Sequence, residues 1–224
     1  MHSITSNLEK LSAEIPATVQ LVAVSKTRSR EEIMEAYRFG HTVFGENKAQ
    51  ELIDKQPELP EDIEWHFIGH LQTNKVKYIA SFVSLIHSAD RYKVLKEINK
   101  QAAKHDRILP CLLQFHIAEE ETKFGFSLEE VRQMFAAESF KKLRNIRIDG
   151  VMGMASFVED AGQLRKEFTQ LRNLFALLKQ DYFSGSPHFK EISMGMSNDY
   201  KLAIEEGSTI IRVGSAIFGA RPYH

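Results

Sequence analysis

The clearest pattern in the chain is an alternation between short apolar runs and longer segments of helical period. Each run is rich in Val, Ile, Leu and Phe, and enough residues for a crossover helix separate it from the next. We predict eight strands from these runs: 19–25, 41–45, 64–69, 82–87, 109–117, 147–154, 190–194 and 209–213. Such runs in alternation with helical segments are typical of a parallel sheet covered by helices.

The intervening segments have the apolar spacing of helices. Residues 30–39 are predicted to form a helix that ends at Gly40, since glycine is a favourable C-terminal cap. Residues 160–180 carry apolar side chains at three- and four-residue spacing: Leu164, Phe168, Leu171, Phe175 and Leu178. These apolar stripes are expected to pack in the core.

Eight strand–helix units favour a closed barrel. Too few residues follow the eighth strand for a full helix, but an amphipathic segment near 3–14 precedes the first strand and could cover the same gap. We therefore predict a single (β/α)8 TIM-type barrel domain over residues 1–224. A doubly wound open sheet is the alternative, although it would leave the eighth strand at an edge.

Composition narrows the function classes. With 29 basic and 30 acidic residues the formal charge is −1, so nucleic acid is not expected as a partner. The single cysteine, Cys111, lies in a predicted core strand and cannot form an internal disulfide, which fits a reducing compartment. The N-terminus lacks a signal-peptide pattern, and no apolar run approaches the roughly 20 residues that span a bilayer. We expect a cytoplasmic protein without membrane contact.

Lys26 is the most informative position, because it stands at the end of the first apolar run. In a barrel, ligands bind at the C-terminal ends of the strands. A lysine there points its amine into the cleft, where desolvation can make it nucleophilic and allow a Schiff base. The alternative is a lysine that ends the strand by reaching water.

The loops after the seventh and eighth strands commonly bind phosphate in such barrels. Here they contain the sequences Ser-Met-Gly-Met-Ser at 193–197 and Arg-Val-Gly-Ser at 212–215. Small turns with glycine let backbone N–H groups approach an anion closely. The predicted phosphate site includes Ser193, Met194, Gly195, Ser197, Gly214 and Ser215. Ser197 is also predicted to cap a helix over 198–206.

A lysine opposite a phosphate cradle suits pyridoxal 5′-phosphate (PLP), which carries an aldehyde and a phosphate. Lys26 would form the imine, and the two loops would hold the phosphate. Arg212 leaves the eighth strand beside these loops. A charged arginine at the pyridine nitrogen would keep that nitrogen unprotonated, so the ring would be a poor electron sink.

Seven segments together resemble a known family. They are Ala-Val-Ser-Lys-Thr at 23–27, Phe-Gly-Glu-Asn at 44–47, residues 66–75, His-Ser at 87–88, Gly-Val-Met at 150–152, and residues 193–197 and 212–221. The set resembles the YggS/PROSC family of pyridoxal phosphate homeostasis proteins. The resemblance implies a barrel like the N-terminal domain of alanine racemase, PLP bound as an imine, and a role in PLP homeostasis without established turnover.

The family pattern also implies individual roles. Lys26 is implied to be the imine lysine, Asn47 a ring-side contact and Arg212 the partner of the pyridine nitrogen. Phosphate contacts are implied for Ser193, Gly214 and Ser215. The chain departs from the pattern at Lys48 and His116, which affects the surroundings of the cofactor rather than Lys26.

A PLP-dependent amino-acid racemase, or a related amino-acid enzyme with weak activity, is the alternative function. Such an enzyme needs a second base opposite the lysine, and the resemblance implies a tyrosine supported by a second, β-rich domain. The six tyrosines lie on predicted helices or at the terminus: Tyr37, Tyr78, Tyr92, Tyr182, Tyr200 and Tyr223. None is an obvious second base.

A metal site is also considered, because His66 and His70 are four residues apart. On the predicted strand this spacing spans about 13 Å, too far for one ion, so hydrogen-bonded roles near the barrel mouth are expected. Arg28, Lys75 and Lys123 could line the mouth, but a solvated surface role is the expectation for each. We expect a monomer that makes transient contact with apo forms of PLP-dependent enzymes.

Overall fold

The computed structural model describes residues 3–119 and 124–220. Eight parallel strands pair in sequence order, and the last pairs with the first, so the sheet closes into a barrel. The strands are β1 (Gln20–Val24), β2 (Val43–Glu46), β3 (Glu64–Phe67), β4 (Leu85–Ala89), β5 (Leu109–Phe115), β6 (Ile146–Gly153), β7 (Glu191–Ser193) and β8 (Ile210–Val213). The predicted barrel is confirmed, and the open sheet is wrong.

Helices connect these strands and cover the barrel. They are α1 (Ile4–Glu14), α2 (Arg30–Arg38), α3 (Ala49–Lys55), α4 (Thr73–Ile79), α5 (Tyr92–Ala103), α6 (Leu128–Ala136), α7 (Glu138–Lys141), α8 (Ala161–Tyr182), α9 (Tyr200–Glu205) and α10 (Ser215–Phe218). A 3-10 turn, Gln56–Glu58, follows α3. Ser29 and Glu32 form a reciprocal capping box that fixes the start of α2. Gly40 follows this helix with a φ of 104°, as its predicted C-terminal role requires.

The fourth strand begins later than its apolar run. The amides of Phe82 and Val83 both donate to the carbonyl of Ile79, so these residues close the end of α4. Ser84 then makes the first bond to the neighbouring strand, through the carbonyl of Trp65. The predicted strand, 82–87, therefore starts three residues before β4. The helix end and the strand form one continuous apolar run, so the boundary between them is not visible in the sequence.

The N-terminal helix covers the gap beside the eighth strand, as predicted. Ile4, Leu8 and Leu11 of α1 are buried in the main core. The side-chain amide of Asn7 donates to the carbonyl of Ile217 in α10 at 2.8 Å. The first helix and the short last helix therefore close the same side of the barrel together.

Two apolar regions fill the fold. The larger packs the outer faces of the strands against the helices and includes Phe44, Trp65 and Phe168. A smaller one consists of Val22, Leu85, Leu112, Met152 and Ile210, with Val43 and Met154 packed against it. These residues lie on different strands of one closed barrel, so we assign them to its interior.

Cys111 is fully buried in β5, and burial raises the pKa of its thiol, so it is an unreactive core side chain. In the described part of the chain, no helix is both long enough and apolar enough to cross a bilayer.

Candidate functional site

A cleft of about 250 Å³ opens at the C-terminal ends of the strands. Its volume is slightly below the roughly 300–1,000 Å³ typical of sites for drug-sized ligands, so it suits a small ligand. Six of the nine residues predicted from sequence line it: Lys26, Asn47, Ser197, Arg212, Gly214 and Ser215. Residues at or just after the ends of β1, β2, β7 and β8 therefore meet in one place.

Strand register explains this convergence. β1 lies between β2 and β8, with Val24 opposite Gly45 and Val22 opposite Arg212. The residues that follow β1 are consequently adjacent to those that follow both neighbours. Gly69, in the loop after β3, packs against this region, since a Cβ there would lie 2.0 Å from the Asn47 carbonyl oxygen. Only glycine allows this close approach to the backbone of Asn47.

Arg212 forms a charged wall of the cleft. Its Nη1 donates to Ser193 Oγ at 2.5 Å and its Nη2 donates to the carbonyl of Gly153 at 3.0 Å. Burial lowers the pKa of Arg212 to about 10, against the opposing influence of Asp199. This value is far above neutral pH, so the guanidinium remains charged.

The other three predicted residues lie beside the cleft rather than in its lining. Ser193 is fully buried, and its hydroxyl contacts both Arg212 and His87. Met194 packs in the main core. Gly195 has a φ of +93°, and its carbonyl accepts from the Arg212 amide at 3.0 Å. The roles of these residues toward phosphate remain predictions.

The prediction that Ser197 caps a helix over 198–206 is wrong. α9 begins at Tyr200 with Asp199 as its N-cap residue. Ser197 Oγ instead accepts from the Gly214 amide at 3.1 Å, because the loop after β8 lies directly beside it. Asp199 Oδ1 accepts from the Met196 amide at 2.5 Å. Ser197 thus ties together the two loops predicted to bind phosphate.

The expectation that Arg28 is solvated is also wrong. It is 8% exposed, lines the cleft and pairs with Glu32 at 3.2 Å. Its Nη2 donates to the carbonyls of Gly219 and Ala220 at 2.5 and 3.3 Å. Lys75 is partly exposed and lies 5.7 Å from the Tyr78 ring centroid, whereas Lys123 lies outside the described residues.

The charge of the lining favours an anion. Among the described residues, the lining carries three cationic side chains, Lys26, Arg28 and Arg212, and one acidic side chain, Asp199. Burial raises the pKa of Asp199, and this single carboxyl group faces three cations. A ligand that carries phosphate would be attracted to such a cleft.

Sequence reasoning did not assign the remaining lining residues: Val24, Ile68, Met154, Phe157, Met196, Asn198 and Asp199. Val24 ends β1, and most of the others follow β3, β6 and β7 within a few residues. The rule that barrel sites form at the C-terminal strand ends could have identified these positions.

A buried polar chain extends from Arg212 through Ser193 to two histidines. His87 Nδ1 lies 2.8 Å from Ser193 Oγ, and His87 Nε2 lies 3.0 Å from His66 Nδ1. Burial lowers the pKa of His66 to about 4 and that of His87 well below its usual value. Both imidazoles are therefore neutral at pH 7. Sequence reasoning gave no role to His87.

The histidines considered for metal have separate hydrogen-bonding partners. His66 meets His87, whereas His70 Nδ1 lies 3.0 Å from Asp90 Oδ2 and its ring stacks on Phe124. Within residues 3–119 and 124–220, no group of three or more His, Cys, Asp or Glu side chains could hold a metal ion.

Comparison with known proteins places this barrel in the alanine racemase N-terminal domain class, whose family model matches residues 1–222. The pyridoxal phosphate homeostasis protein of Aquifex aeolicus is 42% identical over 205 residues, which cover 91% of this chain and 88% of that protein. The chain therefore belongs to the pyridoxal phosphate homeostasis protein family, as its motifs indicated.

Two solved structures extend the comparison. PipY of Synechococcus elongatus, with PLP bound, superposes with a TM-score of 0.87 at 34% identity, covering 97% of this chain and 100% of that chain. Alanine racemase of Streptomyces coelicolor superposes with a TM-score of 0.78 at 16% identity, covering 98% of this chain but 58% of the racemase. The second likeness shows a shared fold only.

The neutral histidines predict a pH-dependent stability. An unfolded chain binds protons on histidine near pH 6.5, whereas native His66 binds one only near pH 4, so acid favours unfolding. The free energy of unfolding should fall as the pH drops from 6.5 to about 4, with His66 contributing about 3 kcal/mol at most. Urea unfolding of wild type and His66→Gln at several pH values in this range measures how steeply the free energy of unfolding depends on pH in each. The same dependence in both proteins would contradict a lowered pKa for native His66.

Proposed function

We propose that this protein binds PLP as a Schiff base on Lys26 and serves intracellular PLP homeostasis. The observation that carries the proposal is the meeting of Lys26, Arg212 and the Gly214–Ser215 turn in one cleft. The PLP-bound structure of PipY, at 34% identity over nearly the whole chain, supports the same cofactor.

The residues present fit the chemical groups of PLP. Backbone amides and hydroxyls of the turns after β7 and β8 suit a phosphate, with Ser197 and Ser215 as the hydroxyls. A Cβ at Gly214 would lie 3.2 Å from the Val24 carbonyl oxygen, so glycine keeps this loop close to β1. This closeness supports the proposal that one small molecule could reach both Lys26 and a phosphate site in these turns.

The proposed covalent step uses the amine of Lys26. Its Nζ, in the neutral form, attacks the aldehyde carbon; a C=N bond forms and one water molecule leaves. Asn47 is proposed to contact the side of the ring. Arg212 is proposed to face the pyridine nitrogen, where its charge would keep that nitrogen unprotonated.

An arginine at the pyridine nitrogen favours storage or delivery of PLP over catalysis. PLP supplies carbanion stabilisation to enzymes when its ring acts as an electron sink. A ring that stays unprotonated beside Arg212 would do this poorly, but the imine would still exchange with an incoming amine or with water. We propose that the protein works as a monomer in the cytoplasm and releases PLP to apo-enzymes during transient contact.

Amino-acid racemisation is the second candidate, favoured by the match to the alanine racemase N-terminal domain. The described tyrosines give it little support, since Tyr37, Tyr78, Tyr92, Tyr182 and Tyr200 all lie on helices and none lines the cleft. Tyr223 lies outside the described residues. This chain also spans 58% of the length of the compared racemase.

The first test is the visible absorption spectrum of the PLP-loaded protein. Wild type should show an imine band that borohydride abolishes, and Lys26→Ala should lack the band because it has no amine at this position. Lys77→Ala, at an exposed lysine of α4, is the matched control and should retain it. A band that survives in Lys26→Ala would contradict the proposal.

A second test separates the homeostasis protein from a racemase. Loaded protein incubated with alanine or serine in D2O should exchange the α-hydrogen no faster than free PLP does. This outcome is expected because Arg212 is charged and no described tyrosine reaches the cleft. Proton NMR measures the exchange, and enzyme-like rates would favour racemisation.

A third test addresses delivery. An apo form of a PLP-dependent enzyme should regain activity from the loaded protein faster than PLP dissociates spontaneously into buffer. The transfer rate should rise with the apo-enzyme concentration, because direct contact between the two proteins makes transfer a bimolecular step. A transfer rate equal to the rate of free release would contradict delivery and leave storage.

A further inference from the structure

The backbone turn that carries Lys26 is strained. The Ser25 carbonyl accepts from the Arg28 amide at 3.0 Å, so residues 25–28 form a β-turn with Lys26 and Thr27 at its centre. Thr27 has a φ of +64°, whereas Lys26 is not among the residues with positive φ. This combination matches a type II turn, whose third position favours glycine or asparagine. A β-branched residue is strongly disfavoured there.

A carboxylate on α3 holds this turn in place. Glu51 Oε2 accepts from the Thr27 amide at 2.8 Å. Burial alone would raise the pKa of Glu51, but the Thr27 amide and Lys55 outweigh burial and lower that pKa. Glu51 therefore accepts as a carboxylate at neutral pH, which makes the hydrogen bond stronger than a neutral one.

Lys55 connects the carboxylate to both flanking strands. Its Nζ donates to Glu51 Oε2 at 3.2 Å, to the Ser25 carbonyl at 2.9 Å and to Glu46 Oε1 at 2.8 Å. Ser25 Oγ also donates to Glu46 Oε1, at 2.7 Å. Ser25, Glu46 and Lys55 are all buried. The residues on both sides of Lys26 are thus fixed to β2 and α3.

We infer that Glu51 is a positioning residue for Lys26. It does not line the cleft, so it acts through the backbone: it holds Thr27 at a positive φ, and this turn directs Lys26 toward the cleft. The inference rests on the proposed function, in which Lys26 forms the imine. Without Glu51 the turn relaxes to a negative φ, and Lys26 loses its orientation.

This role predicts a specific rescue. Glycine adopts positive φ without the steric penalty of threonine, so a chain with glycine at 27 has less need of Glu51. Glu51→Ala should slow imine formation about ten-fold, the size expected from losing a hydrogen bond to a charged group. Thr27→Gly/Glu51→Ala should recover most of the rate. Thr27→Gly alone should stay within about two-fold of wild type.

The experiment measures trapping at Lys26. Each variant is mixed with PLP, reduced with borohydride at set times and digested, and mass spectrometry quantifies the labelled Lys26 peptide. Gln50→Ala, an exposed neighbour on the same helix, is the matched control and should label like wild type. Amide hydrogen exchange of the PLP-free protein supplies a second measurement: Thr27 should lose protection in Glu51→Ala but not in Gln50→Ala.

The outcomes separate the two proposals. Wild type that takes no label at Lys26 would contradict the proposed function, and the positioning role with it. If wild type is labelled and Glu51→Ala is labelled at the same rate as Gln50→Ala, only the positioning role is overturned. If Glu51→Ala is labelled slowly and the added Thr27→Gly change does not restore the rate, the positioning role is overturned too, because Glu51 would then act by its charge. Should Glu51→Ala not fold, the double variant should fold, and failure of both would overturn the inference.

Discussion

Hydrogen bonds between β1 and β8 close the barrel, and the candidate site depends on this closure. The pairing sets Val22 opposite Arg212. It thereby brings the turn after β1 beside the loop after β8, although the two lie near opposite ends of the sequence. An open sheet would separate Lys26 from Gly214 by the width of the fold. The first and last helices stabilise the same closure, through Asn7 and the α10 backbone.

A second constraint is the burial of Arg212 inside the barrel. A buried charge is costly unless hydrogen bonds surround it, and the guanidinium has Ser193 and the Gly153 carbonyl as partners. His87 and His66 continue this polar chain across β4 and β3 and remain neutral. The arginine is therefore charged and fixed in position before any ligand binds, which suits the proposed contact with a ring nitrogen.

The sequence predicts most of the fold, because apolar periodicity is a local property of the chain. It also predicts Lys26, Arg212 and Gly214 in one cleft, since barrel sites form at strand ends. Hydrogen bonds between residues that are distant in sequence could not be predicted. Ser197 bonds the β8 loop rather than its own helix, and Arg28 turns inward to the carbonyls of Gly219 and Ala220. Local patterns do not specify such contacts.

The most direct measurement is a crystal structure of the protein loaded with PLP. We predict continuous electron density from Lys26 Nζ to the cofactor, with Arg212 within hydrogen-bonding distance of the pyridine nitrogen and the phosphate at Gly214 and Ser215. Cofactor bound without a link to Lys26, or outside this cleft, would contradict this prediction.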